Sequence, residues 1–122
     1  MYLGTSLTGS YKSRSYSVYS ACATSITNYM LIGNMALNND SGETTQVHSL
    51  NSSMTDTTLT TGLSLARHAG AAETVNNHAI FAGGESGSST NNKTVDIYNT
   101  SLTRSTGTAL STAKKHMASA HT

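Results

Sequence analysis

The chain repeats itself. Leu63-Ser64, Ala66-Arg67 and Ala71 return as Leu110-Ser111, Ala113-Lys114 and Ala118, a spacing of about 47 residues. Asn51-Ser52-Ser53-Met54-Thr55 matches Asn99-Thr100-Ser101-Leu102-Thr103, and Ile26, Asn28, Leu31 and Ile32 match Val75, Asn77, Ile80 and Phe81. Thr5-Ser6-Leu7-Thr8 repeats Thr100-Ser101-Leu102-Thr103 two periods away. At such a period each copy is one supersecondary motif that buries its apolar face only against its neighbours. The fold must therefore be built by stacking like units.

Within each copy the apolar residues come in short clusters with a period of two. Thr94 to Tyr98 alternates, Ala79-Ile80-Phe81-Ala82 ends at Gly83-Gly84, and residues 71–75 run into Asn76-Asn77. Asn-Asn and Gly-Gly tolerate positive φ at low cost and suit tight connections between strands. Residues 102–108 close the copy, and residues 85–92 form its loop. In the first copy, residues 11–20 read as a strand with one buried face, and Tyr29-Met30-Leu31-Ile32 as a strand buried on both faces. Residues 21–25 are a small-residue segment, residues 34–45 a polar loop, and residues 46–50 a further short strand. No helical periodicity is present. Four short antiparallel strands per repeat, joined locally, describe an all-β propeller blade. Ile26, Leu31, Ile32, Val75, Ile80 and Phe81 are the expected core between blades.

Composition narrows the functional classes. Only 11% of the 122 residues are charged, and the net charge is +1, so nothing draws the chain to nucleic acid or an anionic membrane. The longest mostly apolar stretch, residues 29–37, is too short to insert into a bilayer. The N-terminal residues carry neither a basic stretch nor an apolar run, so no secretory signal is expected. One cysteine, Cys22, rules out an intramolecular disulfide. It occupies the position of Ala71 and Ala118, which predicts a small buried apolar role.

The residues 66–67, 71–72, 75–77, 79–84, 94–96, 98 and 100–104 resemble the Kelch β-propeller repeat, especially the near-identical arrays of bacterial and prophage-associated proteins. The carrying motif is the di-glycine Gly83-Gly84 after an apolar strand, followed by Tyr98. Arg104 stands near the place of the usual Trp, and the first copy has Gly33-Asn34 for the di-glycine and Leu50 for the Tyr. The resemblance implies an all-β Kelch-type propeller domain of about two full blades plus partial ones. Residues 1–10 would be the last-strand remnant of a preceding blade, 11–62 a divergent first blade, 63–109 the best-formed blade and 110–122 the first strand of another. The two remnants lack both middle strands of a blade, which favours a segment of a longer propeller over a ring of identical chains. Other blades of the same propeller are the expected partners in either case.

No catalytic constellation emerges. His116 and His121 would lie on opposite faces of a strand, His68 and His78 at opposite ends of one, and His48 replaces Asp96 in register. Asp96 is expected to support a turn or neighbouring strand. The loop at 83–92 lacks the spacing of a phosphate loop or a nucleophile elbow. No catalytic, cofactor or metal residues are therefore expected. Binding belongs on loops carried by a rigid scaffold. In the two equivalent loops the candidates are Asn38, Asn39, Asp40 and Glu43, and Glu85, Ser86, Asn91 and Asn92, whose amides, hydroxyls and carboxylates suit a sugar or a peptide. With the resemblance, this makes the chain a non-enzymatic module that binds protein or glycan, or a structural one, in an extracellular or virion-associated setting. The alternative is a piece of a propeller enzyme, of oxidase or sialic-acid-processing type, whose active site lies in other blades.

Overall fold

The computed structural model describes residues 18–37, 42–87 and 90–120. The proposed remnant at 1–10, most of the strand at 11–20 and the candidates Asn38, Asn39 and Asp40 lie outside the described residues. Among those described there is no helix, and every sheet is antiparallel.

Two four-stranded sheets dominate. The first unit contains β2 (Cys22–Ile26), β3 (Tyr29–Gly33), β5 (His48–Leu50) and β6 (Asp56–Thr58), paired in that order. The second contains β7 (Ala71–Val75), β8 (His78–Ala82), β11 (Val95–Tyr98) and β12 (Arg104–Thr106), again as a meander. Between its second and third strands each unit inserts a segment that carries short strands. In the first, β4 (Ala36–Leu37) returns to pair with β1 (Val18–Tyr19); in the second, β9 (Glu85–Ser86) pairs with β10 (Thr90–Asn91). Residues expected to be plain loops at 34–45 and 85–92 thus carry short strands, too brief for a period of two to show.

The turns follow from local chemistry. Asn76 and Asn77 both have positive φ, at 47° and 57°, as a two-residue hairpin turn matched to strand twist requires. Asn51 and Asn99 each accept two backbone N–H groups on one side-chain oxygen, from Ser53 and Thr55 and from Ser101 and Thr103 respectively. Each such turn ends on a left-handed residue, Met54 or Leu102, both at φ 60°. Because one amide oxygen serves two donors, Asn99→Ala should cost about 1–2 kcal/mol in urea unfolding, while Asn99→Asp should lose much less.

The core lies between the two sheets. Ile26, Leu31 and Val47 of the first unit meet Ala72, Ala79, Phe81 and Tyr98 of the second, with Leu63 from the connection. Phe81 and Tyr98 pack edge-to-face at 6.0 Å, and Phe81 also lies over Gly33, where a Cβ would come 3.4 Å from its ring. Three expected core residues are not in this layer. Ile32 turns to the other face of its sheet and packs with Met35 and Leu50, Ile80 is half-buried, and Val75 is 51% exposed. The cause is alternation: Leu31 and Ile80 hold equivalent places and face away from the preceding repeat, so neighbouring Ile32 and Phe81 face towards it. Met30, two residues before Ile32 on the same face, is 38% exposed, so β3 is not buried on both faces along its length.

Residues 110–122, expected as the first strand of a further blade, carry no strand in their described part. Residues 110–120 hold only an isolated bridge, Asn92 with Lys114, and run beside the second unit as residues 63–71 run beside the first. The His116 N–H donates to the Ala69 carbonyl at 2.6 Å, and the Ala69 N–H to the Ser20 carbonyl at 3.4 Å. All three residues are left-handed, at φ 51°, 56° and 49°, so one backbone rung recurs at successive repeats.

Candidate functional site

The described loop candidates gather on one rim of the stack, where the inserted ladders meet the connection that follows. Ala36 bridges Glu43 within the first insert, and Glu85 pairs with Asn91 in the second. His68 bridges Glu85, and the Gly84 N–H donates to the Lys114 carbonyl at 2.8 Å. The inserts are therefore clamped from both sides by backbone.

Two acid–base pairs lie along this rim. Lys115 donates to Glu85 at 2.7 Å, and His68 Nδ1 lies 3.5 Å from Glu43 Oε1. Both bases sit at equivalent repeat positions and reach back to the insert of the unit before. The carboxylate, however, changes strand: Glu43 aligns with Asn91, and Glu85 with Ala36. Because these residues are direct cross-strand neighbours, either can present an acid to the same base.

The remaining candidates divide by exposure. Ser86 Oγ accepts from Asn92 Nδ2 at 3.0 Å, and the same amide donates to the Thr90 carbonyl at 3.1 Å, so Asn92 holds the hairpin closed. Asn91 is exposed beside exposed Gly87 and Thr90, leaving an outward polar tip. Glu43 and Glu85 are committed to neighbouring bases, and the Ser86 hydroxyl faces an amide rather than a base. The described part of the rim thus presents hydrogen-bonding groups, with the Ser86 hydroxyl engaged by the Asn92 amide.

The structure also shows a polar centre that the repeat pattern does not advertise. Arg67 is fully buried between the units. Its Nε donates to the Gly83 carbonyl at 2.8 Å, Nη2 to Phe81 at 3.0 Å, and Nη1 to Leu65 at 3.2 Å and Asp96 Oδ2 at 2.9 Å. Ser64 donates to the same Asp96 oxygen through both backbone and hydroxyl, and Arg104 Nε lies 3.8 Å from the other. Asp96 thus supports the preceding connection, as its strand position suggests. In the first unit the places equivalent to Asp96 and Arg104 hold His48 and Asp56, 2.9 Å apart, so acid and base are exchanged. Burial first, then the Asp96 carboxylate, pushes the Tyr98 phenol above its ordinary range despite Arg104 and Arg67. Its hydroxyl donates to the Thr61 carbonyl at 3.0 Å.

Cys22 is half-buried, its Sγ 3.6 Å from the Gly33 carbonyl. Burial pushes its thiol from 9.0 up to about 12, against the pull of Arg67. Since the thiolate is the reactive form, alkylation at pH 8 should be about 1,000-fold slower in the folded chain than in urea. The raised value also fixes a sign: its stabilising effect is complete below pH 9.0 and is lost as pH rises towards about 12, where only the unfolded chain ionises freely. Cys22→Ala should flatten that alkaline decline.

Among the described residues no group of three or more His, Cys, Asp or Glu side chains is placed to hold a metal ion, and no helix is long and apolar enough to cross a membrane. No protein-family model matches the chain, and no curated protein matches it.

Proposed function

We propose that the chain is a Kelch-type β-propeller segment acting as a non-enzymatic binding or structural module. The observation that carries this reading is the self-similar stack. Two four-stranded meanders pack face to face, equivalent backbone positions are bonded from one unit to the next, and residues 110–120 begin the same route again. A unit whose two faces are both built to meet its own kind is a propeller blade in the making. The polar inserts, with Asn91 exposed on the second of them, are the surface for a protein or glycan partner.

The reading is tested by titrating the ¹⁵N-labelled chain with chitotriose and, separately, with a soluble Ser/Thr-rich peptide. Amide shifts confined to Glu43, Glu85, Ser86, Asn91 and Asn92, and reduced in Asn91→Ala, are the expected result. Dissociation constants near the millimolar range suit a single module whose strength would come from repetition. No shifts at the rim with either probe, at concentrations up to ten millimolar, would leave the stack as purely structural and overturn the binding half of the proposal.

A further inference from the structure

An apolar groove of about 240 Å³ opens on the first unit, its lining including Ser25, Ile26, Asn28, Met30, Leu50 and Met54. Met54 is 54% exposed at its mouth. The meaning of this groove comes from the equivalent residues of the second unit. Met30, Leu50 and Met54 correspond to Ala79, Tyr98 and Leu102, all of which pack into the core against the first unit. The groove is therefore the leading face of a unit with no sheet described against it. The covered version of the same face is visible one repeat along.

The opposite, trailing face of the second unit is left in the same condition. Ile26 and Leu31, buried beneath the second unit, correspond to Val75 and Ile80, one exposed and one half-buried. The described stack thus presents both halves of its own internal interface. We propose that the leading face at Met30, Leu50 and Met54 docks the trailing face of a second copy of this chain, head to tail, in the register that joins the two units within one chain. The inference rests on the stacked-repeat reading above and adds to it the partner and the contacts.

The internal junction specifies those contacts. Thr27 donates its N–H to Asn77 Oδ1 at 2.8 Å, and Asn77 Nδ2 donates to Thr27 Oγ1 at 2.8 Å. Thr74 Oγ1 donates to the Ser25 carbonyl and lies 2.7 Å from Thr24 Oγ1. Moved on by one repeat, Asn28 takes the part of Asn77, and Asn76 of the second copy takes the part of Thr27. Ser25 takes the part of Thr74 and meets Glu73 and the Thr74 carbonyl of the copy. Both asparagines are exposed at hairpin turns. Such a contact is heterologous: each copy uses a different face, so docking closes a ring or continues into longer species.

The experiment uses the full chain in a Cys22→Ala background, which places at residue 22 the alanine found at 71. Asn28→Cys and Asn76→Cys chains, mixed and oxidised gently, should give a disulfide-linked dimer on a non-reducing gel, at least tenfold above either chain alone. Adding Met30→Glu and Met54→Glu, both exposed in the single chain, should abolish that product with the circular dichroism unchanged. Thr27→Cys with Asn77→Cys in one chain is the control for the repeat stack and should lock within the monomer. If the control locks and the mixture yields no excess dimer, the copies do not dock in this register and the proposal fails alone. If the control does not lock, the stacked-repeat reading fails, and the proposal with it.

Discussion

Arg67→Met should be among the most destabilising single changes in this chain, lowering urea-unfolding stability by about 3–5 kcal/mol. The side chain is wholly buried and satisfies three carbonyls besides the Asp96 carboxylate. Methionine fills most of the volume but leaves those acceptors without donors and a carboxylate buried beside only Ser64 and the more distant Arg104. For a domain with about 5–15 kcal/mol in total, such a loss approaches unfolding at ambient temperature. Asp96→Asn should cost less, because the amide oxygen still accepts from Ser64 and Arg67 while the charge is lost. The double variant should fall well short of the sum of the two, with a coupling of about 1–3 kcal/mol. Strict additivity would show that the pair does not act as a unit.

Gly84→Ala should be comparably severe, at about 3 kcal/mol or a fall in Tm of roughly 10–15 °C by calorimetry. Gly84 has φ 105°, outside the reach of ordinary side chains, and a Cβ would stand 2.5 Å from the His68 carbonyl and 2.9 Å from Asn34 Oδ1. Gly87 separates the two causes. It too is left-handed, at φ 57°, but a Cβ there meets nothing within 4 Å, so Gly87→Ala should cost only about 1 kcal/mol. Equal losses at the two sites would mean that backbone conformation alone matters and that the close approach at Gly84 does not.

The second unit was the more readable from sequence, for physical reasons. β7, β8 and β11 lie close to where alternation and the Asn-Asn and Gly-Gly signals place them, because each strand has one face committed to the core. β2 escaped direct reading, since Cys22-Ala23-Thr24-Ser25 offers small side chains with little contrast between faces. Its identity comes through its match to β7. β4, β9 and β10 have two residues each, too few for any period. The pairing of Arg67 with Asp96 joins a connection to a strand 29 residues away, which no local pattern announces. Of the rim, the location of the loops was legible. The commitment of Glu43 and Glu85 to His68 and Lys115 was not, because each pair forms only when a connection folds back on the insert before it.

The recurring rung through Ser20, Ala69 and His116 bears on how such a chain changes over generations. Three unlike side chains occupy one backbone posture, so the ladder that carries it, and not residue identity, holds the joint. Unequal recombination that added or removed one whole repeat would put a new residue on the rung while preserving every kind of contact around it. Gene length could then drift in steps of one unit with no crossing of a non-folding intermediate. A shift by half a repeat would instead leave a unit with only part of its four-stranded sheet to cover its neighbour.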